Sequence, residues 1–195
     1  MKLKKISKKQ SLVILFIALI ILACYIYVIK STNILLSGQA LVYNAHAETI
    51  GSMRLRIPKI DVNARVESMG LTSLGAMDAP KGPSNVGLYN LGPRPGEVGN
   101  SVMDGHFGWK NKIPAVFDNL NKLVKGDKIY VDNGKGSTRV FVVRQLRVYK
   151  VDQDASEVFI SSDGKTHLNL ITCSGLWDSR VKNRPNRLVV FADME

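Results

Sequence analysis

The sequence predicts an all-β domain, either a barrel or a sandwich, preceded by one transmembrane helix. The first observation is a series of short apolar and β-branched runs, separated by turn signals such as Pro58-Lys59 and Asn133-Gly134. The second is the scarcity of segments with the apolar spacing of a helix. The third is an uncharged apolar run near the N-terminus of a 195-residue chain, a length that suits one anchor and one domain.

The N-terminal segments are predicted to be a cytoplasmic basic tail (residues 1–10), a transmembrane signal anchor (11–29) and a stalk (30–52). The tail holds five lysines and no acidic residue. The 19 uncharged residues of the anchor can cross a hydrocarbon core of roughly 30 Å at about 1.5 Å per residue. Because positive charge favours the cytoplasmic side, we expect a single-pass protein of the cell membrane whose C-terminal domain lies outside the cell.

A cleaved signal peptide is the alternative interpretation of the same segment. The apolar part of a signal peptide usually has about 7 to 15 residues and is followed closely by a small-x-small cleavage site. The run here is longer, and the nearest such triplet, Ala45-His46-Ala47, lies well past its end. The sequence therefore favours the uncleaved anchor.

The net charge of +11 gives little support to a nucleic-acid partner. Six of the lysines lie within residues 1–30, where there is no acidic residue, so the basic excess of the remaining chain is modest. Such an excess suits a domain that works beside an anionic cell envelope. No concentrated basic stripe of the kind that binds nucleic acid is present.

The domain is predicted to span residues 53–195 and to consist mainly of strands. Pro114 and the apolar spacing after it predict a short helix over 114–122. Residues 75–99, with four prolines and six glycines, are predicted to form a long loop, and 152–165 a polar connection. The predicted strands are 54–57, 62–66, 100–105, 128–131, 138–151, 167–173 and 187–192.

Cys173 stands at the end of a predicted strand, just before Ser174-Gly175. Catalytic groups are often placed in this way, since the strand fixes the side chain and the loop leaves it accessible. The other cysteine, Cys24, lies in the apolar run and is expected to pack as a small hydrophobe. Cys173 is thus an unpaired thiol in a domain predicted to be exported, and a buried structural cysteine is the alternative.

Two further residues have the chemistry that a reactive thiol needs. His106 follows the predicted strand 100–105, and Arg187 leads into the last strand. A cysteine with a pKa of about 8.5 is only a few per cent thiolate at pH 7, and an imidazole can take its proton and later protonate a leaving amine. A guanidinium stays charged and offers a fork of donors to an oxyanion. Taken singly, each residue type is more often structural.

The sequence around these residues resembles the sortases, the cysteine transpeptidases of Gram-positive cell surfaces. The matching motifs are Leu170-Ile171-Thr172-Cys173, Gly105-His106 at a strand end, and Arg187 before an apolar strand that ends in Ala192. The resemblance covers roughly residues 53–193. The arrangement of an N-terminal anchor and one domain is most like class F, or the related class D and E.

The resemblance implies an eight-stranded β-barrel with short helices. It also implies cleavage of a sorting signal similar to Leu-Pro-x-Thr-Gly (LPXTG) between Thr and Gly, through a thioester on Cys173. The partners would be surface proteins with C-terminal sorting signals and an amine of a cell-wall precursor or of another protein. No metal or organic cofactor is expected, because this chemistry needs none. Some sortases bind calcium through acidic loops, but Asp152, Asp154 and Glu157 in the corresponding connection do not form a calcium-ligand pattern.

The resemblance further implies a role for each candidate residue. Cys173 would be the nucleophile, His106 the general acid/base, and Arg187 the stabiliser of the oxyanion and the substrate. Arg180 and Arg184 are the nearby alternatives for the arginine, although they lie in a polar loop. Three residues are assigned to substrate binding: Thr172 would shape the pocket beside the thiol, and Trp109 and Trp177 would wall the groove. Ordinary packing is the alternative for both tryptophans.

Two other functions are alternatives to the transpeptidase. One is a catalytically inactive, membrane-anchored binding module with the sortase fold, which the presence of all three reactive residues disfavours. The other is an L,D-transpeptidase, in which the reactive Cys and His lie close in sequence. Here Cys173 and His106 are 67 residues apart.

Overall fold

The computed structural model describes residues 20–22, 24–30 and 52–195. The predicted basic tail and most of the predicted anchor and stalk lie outside the described residues, so these assignments stay predictions. Residues 20–22 and 24–30 are helical, and their large apolar side chains are exposed. Within the described part of the chain, no helix is both long enough and apolar enough to cross a membrane.

The residues from 52 onward form a closed β-barrel of eight strands, which confirms the predicted fold. Around the barrel the strands follow the order β1-β2-β3-β4-β7-β8-β6-β5. The β2–β3 and β4–β7 pairs are parallel, and the other six pairs are antiparallel. The strands are β1 (Arg54–Ile57), β2 (Val62–Met69), β3 (Val86–Tyr89), β4 (Gly99–Asp104), β5 (Lys128–Asp132), β6 (Thr138–Lys150), β7 (Thr166–Ser174) and β8 (Asn186–Met194).

The strand β3 lies inside the stretch 75–99 that the sequence predicted to be a loop, so the prediction is wrong at this point. Its first three residues are buried, and it pairs with β2 in parallel. Only four residues long and surrounded by Gly and Pro, β3 is too short for its alternation to stand out. The barrel would not close without it.

The helix predicted over 114–122 is also wrong. Only a 3₁₀ turn at Leu120–Lys122 forms there. The carboxylate of Asp118 accepts hydrogen bonds from the backbone N–H groups of Gly108 (2.6 Å) and Ala115 (2.9 Å), which folds the segment into a compact loop. Phe117 and Leu120 are fully buried, so their spacing reflects contact with the barrel core and not a helix face.

A single helical turn, α1 (Ser156–Phe159), lies in the predicted polar connection 152–165. Val158 of α1 packs in an apolar cluster on the outside of the barrel. The side-chain amides of two buried asparagines hold the turn in place: Asn100 donates to the Glu157 carbonyl (2.8 Å) and Asn169 to the Val158 carbonyl (2.7 Å). The connection is therefore fixed to β4 and β7.

The alternation of side chains along β7 determines which residues face the barrel interior. Leu168 and Leu170 belong to the main core, and Thr172 is buried beyond them. Successive side chains of a strand point to opposite faces. Ile171 and Cys173 therefore face outward, on the side of the barrel that carries α1.

Candidate active site

The parallel pairing of β4 and β7 brings the ends of the two strands together. Asp104, the last residue of β4, is in register with Ile171 of β7. Because parallel strands end at the same edge, His106 just after β4 and Cys173 near the end of β7 meet there. Both line one cavity of about 560 Å³, which also includes Trp109 and Trp177.

The backbone around Gly105 explains why a glycine precedes the histidine. A Cβ at this position would lie 2.6 Å from the ring of buried Phe117, closer than atoms can approach. The Gly105 N–H donates to the Ile171 carbonyl (3.1 Å), and the Gly105 carbonyl accepts from Thr172 Oγ1 (2.7 Å). The Phe117 N–H donates to the His106 carbonyl (3.1 Å). These bonds attach the histidine backbone to β7 and to the following loop.

The imidazole of His106 has a defined orientation. Its Nε2 lies 2.7 Å from the carbonyl oxygen of Pro80. Because a carbonyl only accepts hydrogen bonds, Nε2 carries a hydrogen in this contact. The Trp109 ring packs against the imidazole, with 4.6 Å between the ring centroids. Nδ1 is therefore the ring nitrogen that remains for proton exchange with another group.

Cys173 is a free, half-buried thiol. Its partner across the antiparallel β7–β8 pair is Arg187. Directly opposite residues project to the same face of the sheet, with Cβ atoms about 4.5–5.5 Å apart. The register of these two strands therefore places the arginine predicted to stabilise the oxyanion beside the cysteine predicted to be the nucleophile.

The guanidinium of Arg187 is held by the segment before β8. Nη1 donates to the carbonyls of Arg184 (3.1 Å) and Asn186 (3.0 Å), and Nη2 donates to Asn183 Oδ1 (3.2 Å). These contacts fix the fork without an ion pair, so the positive charge stays available to a substrate.

The two alternative arginines differ in their positions. Arg184 lines the cavity that contains Cys173 and His106. Its guanidinium donates to the Gly175 carbonyl and lies 4.7 Å from the Phe107 ring centroid. Arg180 pairs with Asp178 (3.0 Å), and its side chain is 88% exposed. Arg184 thus lines the cavity of the thiol, Arg187 is opposite Cys173 in the strand register and lines a neighbouring cavity, and Arg180 lies in solvent.

The three residues assigned to substrate binding occupy two different environments. Trp109 and Trp177 both line the cavity of the thiol, and Trp177 is 58% exposed. Thr172 is only 2% exposed and holds Gly105 through its hydroxyl. Thr172 therefore supports the segment that carries His106, and it does not line the cavity of the thiol.

A second cavity of about 460 Å³ adjoins the site on the outer face of the barrel, and no sequence motif indicates it directly. We call it the β4–β8 groove; its walls include Tyr89, Asp104, Phe159, Ile171, Arg187 and Val189. Burial raises the pKa of Asp104 to about 7, Arg187 opposes that rise, and Asp78 adds to it. A charged residue at the end of the apolar β4 run was the available sequence signal for this carboxyl.

The acidic residues of the β6–β7 connection are already engaged with neighbouring groups. Asp154 Oδ1 accepts from the N–H (2.9 Å) and the hydroxyl (2.6 Å) of Ser156. Glu157 accepts from Arg147 and from the Tyr149 hydroxyl (2.8 Å). Among the described residues, no group of three or more His, Cys, Asp or Glu side chains is arranged to hold a metal ion.

Comparison with known proteins decides the family. The sortase domain model matches residues 55–195. The chain belongs to the sortase family. No curated protein matches this sortase.

Solved sortase structures of several classes share its fold. Sortase C-1 from Actinomyces oris is 25% identical, with a TM-score of 0.60, over 78% of this chain and 81% of that one. The sortase D5 transpeptidase from Clostridium perfringens is 21% identical (TM-score 0.56; 74% and 79% covered). Sortase A from Listeria monocytogenes is 19% identical (TM-score 0.57; 75% and 88% covered). Since these neighbours represent classes C, D and A, the assignment to class F, D or E stays a prediction.

Proposed function

We propose that this sortase cleaves an LPXTG-like sorting signal between Thr and Gly and transfers the protein to an amine of the cell wall. The observation that carries the proposal is that Cys173 and His106 line one cavity at an edge of the barrel, and that Arg187 is in register with Cys173 on the neighbouring strand. Surface proteins with C-terminal sorting signals are the proposed donors. A peptidoglycan precursor or a protein amine is the proposed acceptor.

The first chemical step is attack by the Cys173 thiolate on the carbonyl carbon of the scissile Thr–Gly bond. Arg187 is placed to stabilise the oxyanion that forms, because its fork lies on the same face of the β7–β8 pair. Nδ1 of His106, which takes the proton of the Cys173 thiol when the thiolate forms, then gives that proton to the leaving glycine amine as the C–N bond breaks. The product is a thioester between Cys173 and the Thr carbonyl.

In the second step the acceptor amine attacks the thioester. His106 takes a proton from the amine, and the thiolate of Cys173 leaves. The peptide segment N-terminal to the scissile bond is proposed to lie in the β4–β8 groove. Its apolar walls, including Ile171 and Val189, suit the Leu and Pro of such a signal, and Arg187 lies at the end nearest the thiol.

The proposed location is the cell membrane of a Gram-positive cell, with the N-terminus in the cytoplasm and the catalytic domain outside. The uncharged run 11–29 and the lysines before it support a signal anchor. The exposed apolar side chains of helical residues 24–30 are consistent with a lipid-facing segment. A fusion with a reporter at each terminus, tested for protease accessibility in intact cells, measures this orientation.

The activity is tested by trapping the acyl-enzyme. The protein is incubated with a peptide carrying Leu-Pro-x-Thr-Gly, and its intact mass is measured with and without an added amine. We expect an adduct in the wild type that the amine removes, and no adduct in Cys173→Ala. An adduct that persists in Cys173→Ala contradicts the nucleophile assignment. Failure to turn over any sorting-type peptide favours the inactive binding module.

A further inference from the structure

Asp104 is the feature of the β4–β8 groove that the proposed chemistry does not use. It is the last residue of β4, two positions before His106, and it projects among partly buried apolar side chains such as Ile171, Tyr89 and Phe159. A carboxyl group in such surroundings is disfavoured unless something hydrogen-bonds to it. A carboxyl in this apolar groove is therefore expected to have a hydrogen-bond donor as its partner.

The described part of the protein does not supply a hydrogen bond to one of the carboxyl oxygens. Oδ1 of Asp104 is buried, and no hydrogen-bond partner for it is found within the described residues. The neighbouring strand residue in register, Gly87, has no side chain to offer. A Cβ built at Gly87 would lie 3.4 Å from this oxygen and would overlap Cγ of Met69, so the Met69 side chain packs into the space that the glycine leaves.

Arg187 is the nearest candidate partner, but no hydrogen bond from it to Asp104 is found within the described residues. Its charge lowers the pKa of Asp104, although burial outweighs that effect. Its donors instead contact the carbonyls of Arg184 and Asn186 and the side chain of Asn183. The described residues include no ion pair between the guanidinium and Asp104. Asp104 thus lines the groove with a carboxyl whose buried Oδ1 is an unused acceptor, while the arginine beside it keeps its own orientation.

We infer that Asp104 determines substrate specificity by accepting a hydrogen bond from a polar side chain of the sorting signal that occupies the groove. The recognised side chain is a donor, such as an amide, a hydroxyl or an ammonium, at one of the three positions before the scissile Thr–Gly bond. The apolar walls of the groove hold the rest of the bound peptide, and the donor supplies the hydrogen bond that the buried carboxyl of Asp104 lacks. This inference rests on the proposed transpeptidase function and on the placement of the substrate in the groove.

The structure explains why the selection would be strong. A site built around a buried hydrogen-bonding group rejects an analogue without the matching group, because the protein group is then left unpaired. An apolar pocket discriminates less between side chains of similar size. We therefore expect at least a tenfold difference in kcat/KM between a donor-bearing peptide and its apolar isostere.

The test is a set of peptides based on Leu-Pro-x-Thr-Gly. At each of the first three positions, peptides with Asn and Leu, and with Gln and Met, are compared as pairs of similar size, and Lys is added as a cationic donor. For the wild type, we expect the donor to exceed its apolar counterpart at one position by tenfold or more in kcat/KM. In Asp104→Ala the preference for the donor, measured as the ratio of kcat/KM within each pair of peptides, is expected to disappear or to reverse.

Two variants sharpen the interpretation. Asp104→Asn keeps hydrogen-bonding atoms but removes the charge, so it is expected to retain selection for neutral donors and to lose selection for Lys. Asp152→Asn is the matched control, because Asp152 is exposed in the β6–β7 connection and does not line the groove. We expect its peptide profile to equal that of the wild type.

The outcomes separate this inference from the proposed function. If wild type and Asp104→Ala both process peptides with the same profile, the transpeptidase function stands and the role of Asp104 is refuted. The same holds if Asp152→Asn changes the profile as much as Asp104→Ala. If no peptide forms a thioester with Cys173 in any variant, the proposed function fails and the inference fails with it.

Discussion

The hydroxyl of Thr172 provides a direct test of how the barrel positions the proposed acid/base. The side chain is 2% exposed, and its Oγ1 donates to the Gly105 carbonyl at 2.7 Å, one residue before His106. Thr172→Val keeps the volume and removes the donor. We expect this variant to fold, to be less stable, and to lose activity, since the histidine segment is no longer held to β7.

The expected loss of stability follows from the Gly105 carbonyl, which no longer receives a hydrogen bond. Losing one partner of a buried hydrogen bond costs about 1–3 kcal/mol, because the Gly105 carbonyl is then unpaired in the protein interior. The loss of activity has a separate cause. A misplacement of about 1 Å at a reacting group can lower the rate by about 10². We therefore expect kcat/KM to fall by about 10–10², more than a general loss of stability would produce in a protein that remains folded.

The assays are urea denaturation and thioester formation with a sorting peptide, both at a temperature where the variant stays folded. Thr172→Ser is the control, because it retains the hydroxyl and loses one methyl group, at a cost of about 1 kcal/mol. It should lose stability and keep most of the activity. If Thr172→Val keeps full kcat/KM, or if Thr172→Ser loses as much activity as Thr172→Val, the hydroxyl does not position His106.

Three further predictions follow from the site. Arg187→Lys keeps the charge but loses the fork, so kcat should fall by about 10²–10³ in the peptide assay, with a smaller loss in Arg184→Lys. Gly105→Ala places a Cβ 2.6 Å from the Phe117 ring, so denaturation should show a loss of about 1–3 kcal/mol together with a lower kcat. Burial raises the pKa of Asp104 to about 7, above its ordinary value of 3.8. The stability that its bound proton contributes is therefore present below pH 3.8 and lost as the pH rises through about 7. The stability of Asp104→Asn relative to wild type should accordingly increase from pH 4 to pH 8 in denaturation experiments.

Each of these predictions has an outcome that contradicts it. Full activity in Arg187→Lys with an inactive Arg184→Lys would transfer the oxyanion role to Arg184. Gly82→Ala is the control for the glycine, because a Cβ at Gly82 meets no atom within 4 Å. Equal losses in the two glycine variants would show that the contact with Phe117 is not the cause. A stability difference between Asp104→Asn and wild type that does not change with pH would mean that the folded protein leaves the pKa of Asp104 unshifted.

The long strands were predictable because their patterns are strong. The predicted strand 138–151 differs from β6 (Thr138–Lys150) by one residue, and 167–173 differs from β7 (Thr166–Ser174) by one residue at each end. Such runs carry enough alternating and β-branched residues to exclude other structures. Strand β3 could not be predicted in this way, because its four residues lie between glycines and prolines and hold almost no periodic signal.

The false helix over 114–122 has a different cause. Phe117 and Leu120 have helical spacing, but each is buried by the barrel core through a compact loop. The interaction that forms this loop joins Asp118 to the N–H of Gly108, ten residues away. A contact over that distance cannot be inferred from local periodicity. Tertiary contacts therefore outweighed the local preference for a helix.

The candidate site was predictable in its residue types and not in its surroundings. Cys173, His106 and Arg187 could be selected from their motifs, because their chemistry is specific. The hydrogen bond from His106 to the Pro80 carbonyl could not, since it depends on the path of the loop between β2 and β3. Asp104 directly precedes the Gly105-His106 motif, but the burial of its carboxyl becomes visible only when β3, α1 and β8 are in place.

The register of three strands explains why the arginine assignment favours Arg187 over Arg184. Parallel pairing of β4 with β7 places Asp104 beside Ile171, and antiparallel pairing of β7 with β8 places Arg187 beside Cys173. Arg187 is thus fixed by strand geometry, whereas Arg184 lies in the loop before β8 and contacts the site through Gly175 and Phe107. An oxyanion stabiliser must be preorganised, because donors that reorient during the reaction lose much of their effect. A strand-borne guanidinium with three fixed acceptors meets that requirement, and a loop-borne guanidinium beside the cavity is better suited to contact the substrate.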